Sequence, residues 1–183
     1  MISRSRALEL LSQHLKNDNL RKHCLASAAV MKKLASRLSQ PVDEWEVTGL
    51  LHDLDFDLTR ETPEKHALVA EELLKGEDFP AQYMLAVKAH NECTGFVRDN
   101  VLSHALAASE SITGLIVACA LVYPDKKISS VKVSSVKKRM KEKAFARNVS
   151  RENIMECEKC GVPFDEFVEL AMTAMAEIQD QLI

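Results

Sequence analysis

His52 and Asp53 interrupt an apolar run that reads Val47-Thr48-Gly49-Leu50-Leu51, and few features restrict a fold more. An ionisable side chain taken out of water without a compensating bond costs several kcal/mol. The chain must therefore fold so that other polar groups, or a cation, meet this pair. Candidates stand on both sides of it: His23 upstream, then His66, His90 and Glu110 downstream.

The rest of the chain reads as helix. Among 183 residues there are only five glycines and five prolines, with 46% hydrophobic and 28% charged residues. That balance suits one soluble all-α domain. Helical periodicity predicts a helix over 4–16 and a second over 20–38, after the capping cluster Asn17-Asp18-Asn19. Asp43 and Glu46 form a capping-box pattern for a third helix, which runs towards His52. Residues 54–61 read as a loop. Thr62-Pro63 opens a helix that Gly76 ends, and Pro80 opens the next, which reaches His90. After a connection over 93–98, Asp99 is placed to cap a long helix extending to about residue 122. Three more helices are expected over 132–143, 150–159 and 163–182, with Gly161 as a left-handed terminator. The result is one domain over 1–183, with a core at about 19–120 and a helical appendage at about 125–183.

Each ligand candidate falls on an apolar or small-residue helix face: His23 with Ser27, Val30 and Leu34, His66 with Val69, Ala70 and Leu73, His90 with Ala86 and Val87, Glu110 with Leu106, Ala107, Thr113 and Gly114. A single histidine on such a face is usually a hydrogen-bonded core residue. Four of them with two inward carboxylates are harder to satisfy by pairing alone. Metal binding accounts for the set: His23, His52, Asp53 and Glu110 for one ion, His66 and His90 for a second. Imidazole and carboxylate donors suit iron, manganese, zinc, cobalt or nickel rather than magnesium or calcium. No cysteine is expected in the inward set, which argues against a structural zinc site.

These residues resemble the HD superfamily of metal-dependent phosphohydrolases, whose name records adjacent His and Asp. The likeness rests on His23, on Leu50-Leu51-His52-Asp53-Leu54-Asp55-Phe56-Asp57, on Pro63-Glu64-Lys65-His66, on Lys88-Ala89-His90-Asn91 and on a later acid. It covers about residues 19–120. It implies an all-α helical bundle of the HD type with a C-terminal helical extension, a buried metal site, and Asp53 bridging two ions where extra histidines are present. Two departures stand out. Glu110 takes the place of the usual Asp, and Asn91 stands where some two-metal relatives carry a second adjacent histidine.

The chemistry expected of such a site is attack of a metal-bound hydroxide on phosphorus, with Asp53 and His52 central to it. Two divalent ions against Asp53 and Glu110 would leave a net charge of about +2, which attracts phosphate. The substrate class is then a small phosphorylated compound, a nucleotide or nucleotide-like ester. The rival readings are a metal-bearing nucleotide sensor without turnover, and a nucleic-acid-associated module. The last is disfavoured by 5% aromatic residues and a net charge of -3.

The remaining features are weaker. The basic run over 126–143 reads as a solvated face, or as a source of phosphate contacts from Lys138 or Lys143, with Asn91 as a further substrate-side candidate. Asp55 and Asp57 either orient a ligating histidine or lie solvated in a loop. The lone Cys157-Glu158-Lys159-Cys160 lacks the second pair of a zinc ribbon. His14 and His104 carry no expected role, and Trp45 reads as packing. Glu9 interrupts any leader-like apolar stretch, and the segment over 112–123 is too short to span a bilayer. Five cysteines without framework spacing fit a reducing, cytoplasmic setting with no membrane partner.

Overall fold

In the computed structural model, which describes residues 1–183, the chain forms ten α-helices and no strand. They are α1 (Arg4–His14), α2 (Asp18–Arg37), α3 (Val42–Leu51), α4 (Phe56–Thr59), α5 (Leu68–Leu73), α6 (Ala81–His90), α7 (Val101–Leu121), α8 (Val133–Met140), α9 (Arg151–Met155) and α10 (Phe164–Glu177). Short 3-10 turns punctuate the loops. Helices α2 and α7 form the centre. α2 packs on α3, α7 and α10, while α7 also meets α3, α6, α8 and α9. One hydrophobic cluster runs from Ile2 to Leu182, so the last third of the chain shares its core with the first two.

The caps show where local sequence decided the outcome and where tertiary contacts overrode it. Asn17 starts α2 as expected, its side chain accepting from the N–H groups of Asn19 and Leu20. The Asp43/Glu46 capping box does not form. Pro41 holds the cap position, and the Glu46 carboxylate is occupied by Arg4 at 2.6 Å and Lys32 at 2.7 Å. The long helix is capped by Asn100 rather than Asp99, reciprocally with Ser103. Gly161 adopts φ 79° after the 3-10 turn Glu156–Cys160, as its position predicts.

Two segments depart from expectation more sharply. The 54–61 region contains the short helix α4. The helix predicted from Thr62-Pro63 is broken: a 3-10 turn over Pro63–Lys65 is followed by an extended His66 and a left-handed Ala67 at φ 72°. That conformation costs a non-glycine residue about 1–2 kcal/mol. From this break the His66 ring meets Asp53 and Asp55, just past the end of α3.

α7 has the length and apolarity to cross a membrane, being 21 residues long, but 67% of its most apolar window is buried inside the protein. It is the core helix of this fold. The loop before α9 comes close to it at Gly114, where an added Cβ would lie 3.1 Å from the Val149 side chain.

Candidate metal centre

Five parts of the chain deliver the candidate residues to one place. His23 comes from the second turn of α2, His52 and Asp53 from the end of α3, His66 from the break before α5, His90 from the last residue of α6, and Glu110 from the middle of α7. His23 Nε2 lies 3.2 Å from His52 Nε2, and His66 Nε2 lies 3.2 Å from His90 Nε2. Between the two pairs stands Asp53. Its Oδ2 is 3.7 Å from His23 Nε2 and 3.5 Å from His52 Nε2. Its Oδ1 is 3.1 Å from His66 Nε2 and 3.3 Å from His90 Nε2. Glu110 Oε2 closes the first group, 3.9 Å from His23 Nε2. Two sets, His23 with His52 and Glu110, and His52 with Asp53 and His90, have donor atoms close enough to share a cation.

The other ring nitrogen of each histidine is held. His52 Nδ1 donates to the Gly49 carbonyl at 2.8 Å and His90 Nδ1 to the Val87 carbonyl at 2.5 Å. His66 Nδ1 donates to Asp55 Oδ1 at 2.8 Å. Thr113 Oγ1 donates to the Glu110 carbonyl, so it accepts from His23 Nδ1 at 3.0 Å. With Nδ1 carrying the proton in each neutral ring, the Nε2 lone pairs all face inwards. Lone pairs 3.2 Å apart repel unless a cation or proton sits between them. This donor set therefore fits a metal ion.

Titration follows from the same geometry. Burial, and the neighbouring His90 and His23, push His52 down to about 3, so it stays neutral. Burial also works against charge on His66, but hydrogen bonds to Asp53 and Asp55 prevail and raise it to about 9. Burial opposes ionisation of Asp53, yet the surrounding histidines hold its pKa well below the usual carboxylate range. Burial lifts the pKa of Glu110, and the Ser111 hydroxyl donates to it.

Several roles differ from the sequence-based expectation. Asp55, left open between orienting residue and loop carboxylate, is fully buried and holds both His66 and the Ala70 N–H, the latter at 2.9 Å. Asp57 instead binds the Lys16 and Asn17 N–H groups. The Asn91 amide is spent on backbone: it donates to the carbonyls of Pro63 at 2.7 Å and His66 at 2.9 Å, so it braces the segment that presents His66. Lys138 and Lys143 are exposed, and neither pairs with a residue of the cluster. Cys24 of α2 is fully buried. Burial and the charge of Asp53 hold its thiol protonated, which disqualifies it as a thiolate ligand. Sequence reasoning missed Thr113 as the partner of His23. The only signal was its place one turn after Glu110.

Residues 20–120 match the HD domain, and the chain belongs to this family of metal-dependent phosphohydrolases. No curated protein and no solved structure matches it. The matched span begins three residues before His23 and ends ten after Glu110, so it contains every residue of the cluster.

Proposed function

We propose that the protein is a metal-dependent phosphohydrolase acting on a small phosphorylated compound, a nucleotide or nucleotide-like ester. The observation that carries this reading is the inward convergence of four Nε2 atoms on the two oxygens of one buried aspartate. His23, His52 and Glu110 would hold one divalent ion, His66 and His90 a second, and Asp53 would serve both through its separate oxygens. A first-row ion such as iron, manganese, zinc, cobalt or nickel suits these donors. When bound, such ions supply Lewis acidity toward a phosphoryl oxygen and acidify a water. The chain's own part is to hold the donors rigid: Gly49, Val87, Asp55 and Thr113 set the ring orientations. The buried Asp55 adds a third carboxylate and so offsets part of the positive charge that two ions would bring.

Access favours a small substrate. The centre is most open at His23 and Glu110, whose side chains are 24% and 20% exposed, and closed at His52, which is 1% exposed. Beside His23, between α2 and α7, lies a cavity of about 280 Å³ lined by Lys22, Ala26, Gly114, Val117 and Leu182 among others. Its wall is mainly apolar, which suits the organic part of a phosphate ester. Lys138 and Lys143 have no contact that would recruit them. All five cysteines are free, which supports a reducing, cytoplasmic setting.

The test is a panel of phosphomonoesters and phosphodiesters with Mn2+-loaded protein. Release of phosphate or alcohol, lost in His52→Ala and Asp53→Ala, is the expected result. Nucleotide binding without turnover would replace this reading with a sensor. Turnover that persists in the metal-stripped protein would refute the metal mechanism.

A further inference from the structure

The end of α6 is closed in an unusual way. The last four carbonyls of an α-helix have no partner within it. In α6 each is met by a side chain. The Val87 carbonyl accepts from the ring of His90 itself, and that of Lys88 from Thr94 Oγ1 at 2.8 Å. The carbonyl of Ala89 accepts from Arg98 Nε at 2.9 Å and that of His90 from Arg98 Nη2 at 3.0 Å. One edge of the guanidinium thus grips two successive carbonyls, the second belonging to the candidate ligand.

The remaining nitrogen of this guanidinium points elsewhere. Arg98 Nη1 donates to Asn153 Oδ1 at 2.9 Å and lies 3.4 Å from Glu156 Oε1. The exposed Glu92 adds a contact to Nη2, also at 3.4 Å. The other oxygen of Glu156 is paired with His104 of α7. Arg98 is only 10% exposed and Glu156 13%, so this fork works largely out of water, where charge-assisted bonds are strong. Asn153 lies in α9 and Glu156 in the turn after it, both beyond the span that matches the family. A lysine could not replace the arginine, because one ammonium cannot address two carbonyls and an amide in a plane.

We infer that Arg98, anchored by Asn153 and Glu156, is a positioning residue for His90, through which the C-terminal appendage takes part in building the metal centre. The inference rests on the metal-site reading above. His90 Nε2 sits within 3.3 Å of Asp53 Oδ1 and 3.2 Å of His66 Nε2, so loosening the last turn of α6 would withdraw one donor and leave the others in place.

The experiment is a double-mutant cycle read by Mn2+ binding, in equilibrium dialysis or from the spin-resonance signal of the free ion, with no substrate present. The proteins are wild type, Arg98→Ala, His90→Ala and the double variant. Arg98→Ala is expected to weaken Mn2+ binding by about 10–100-fold, the range for groups that orient a ligand. Arg98→Lys should recover little of it, and in the His90→Ala background Arg98→Ala should change nothing. If Arg98→Ala does not fold, Asn153→Ala and Glu156→Gln remove only the far anchor. A smaller weakening, again absent without His90, is then expected. Unchanged Mn2+ binding in the folded variants overturns the inference, as does equal weakening in both backgrounds. Wild-type protein that takes up no Mn2+ overturns the metal reading itself, and this inference with it.

Discussion

Gly49 faces Ala28 so closely that a Cβ added to it would lie 2.9 Å from the Ala28 Cα and 3.0 Å from its nitrogen. Both are backbone atoms that no rotamer change can move. α3 can therefore lie tightly on α2, and three residues past Gly49 the His52 ring meets His23. Gly49→Ala is expected to destabilise the protein by roughly 1–3 kcal/mol, as overpacking does, and to reduce Mn2+ uptake as well. Urea unfolding and a metal titration measure the two effects. Full stability together with full uptake would show that the α2–α3 contact does not set the site.

Asp53→Asn keeps the shape of the side chain but removes its charge and one acceptor oxygen. Because Oδ2 faces one pair of histidines and Oδ1 the other, the substitution is expected to deplete both ions. His23→Ala is expected to deplete only the ion on its own side. Elemental analysis of the purified variants distinguishes two missing ions from one. Equal losses in the two variants would contradict a bridging role for Asp53.

Asp55→Asn leaves a side chain that still reaches His66 but can offer its nitrogen where a carboxylate oxygen stood. The His66 ring would lose its fixed tautomer, and metal affinity is expected to fall by about 10–100-fold. The ring resonances of His66 in nitrogen-15 spectra, with a parallel Mn2+ titration, report this. An unaltered tautomer with unaltered affinity would remove Asp55 from the site.

The proton on His66 gives metal binding a pH signature. With its pKa raised to about 9 by Asp53 and Asp55, the metal-free ring is protonated below that pH and must release its proton to act as a ligand. Adding Mn2+ at pH 7.5 in weak buffer is expected to release protons, and affinity should rise as pH climbs towards 9. A pH indicator follows the release. His66→Ala should lower the yield by about one proton per chain.

Glu156 links stability to acid pH. Burial favours its neutral form, but hydrogen bonds from His104 and Lys159 and the charge of Arg98 overcome this and lower its pKa. A carboxylate whose pKa is lower folded than unfolded stabilises the native state above its unfolded pKa, and this contribution fades as pH falls through the folded value. Metal-free wild-type protein should therefore lose stability on acidification faster than Glu156→Gln does, by urea midpoints between neutral pH and pH 3. Parallel curves would deny the carboxylate that role.

The donors were legible in the sequence because each breaks an apolar helix face, and a helix has a fixed period against which such breaks stand out. His23, His90 and Glu110 stand on helices as that period expects, and His52 and Asp53 follow directly on α3, whereas His66 lies in an extended break rather than on the helix face expected for it. The groups that orient them were not legible for a different reason. Arg98 and Asn91 act on backbone carbonyls, and Thr113 acts through a hydroxyl, so no spacing rule marks them. Nor does any local signal announce that Ala67 turns left-handed, or that Arg4 and Lys32 draw Glu46 out of its capping box. Asn100 prevailed over Asp99 because Ser103 lies three residues after it and can return the bond.

Donors that come from α2, α3, the break before α5, α6 and α7 have a consequence for any preparation of this protein. A half-collapsed chain does not gather them, since His23 and Glu110 meet only when α2 and α7 are docked. Bound ions would favour the native state by mass action and would dissociate as it unravels. The molar ratio of ion to polypeptide would then serve as an assay of how many molecules in a sample are correctly folded.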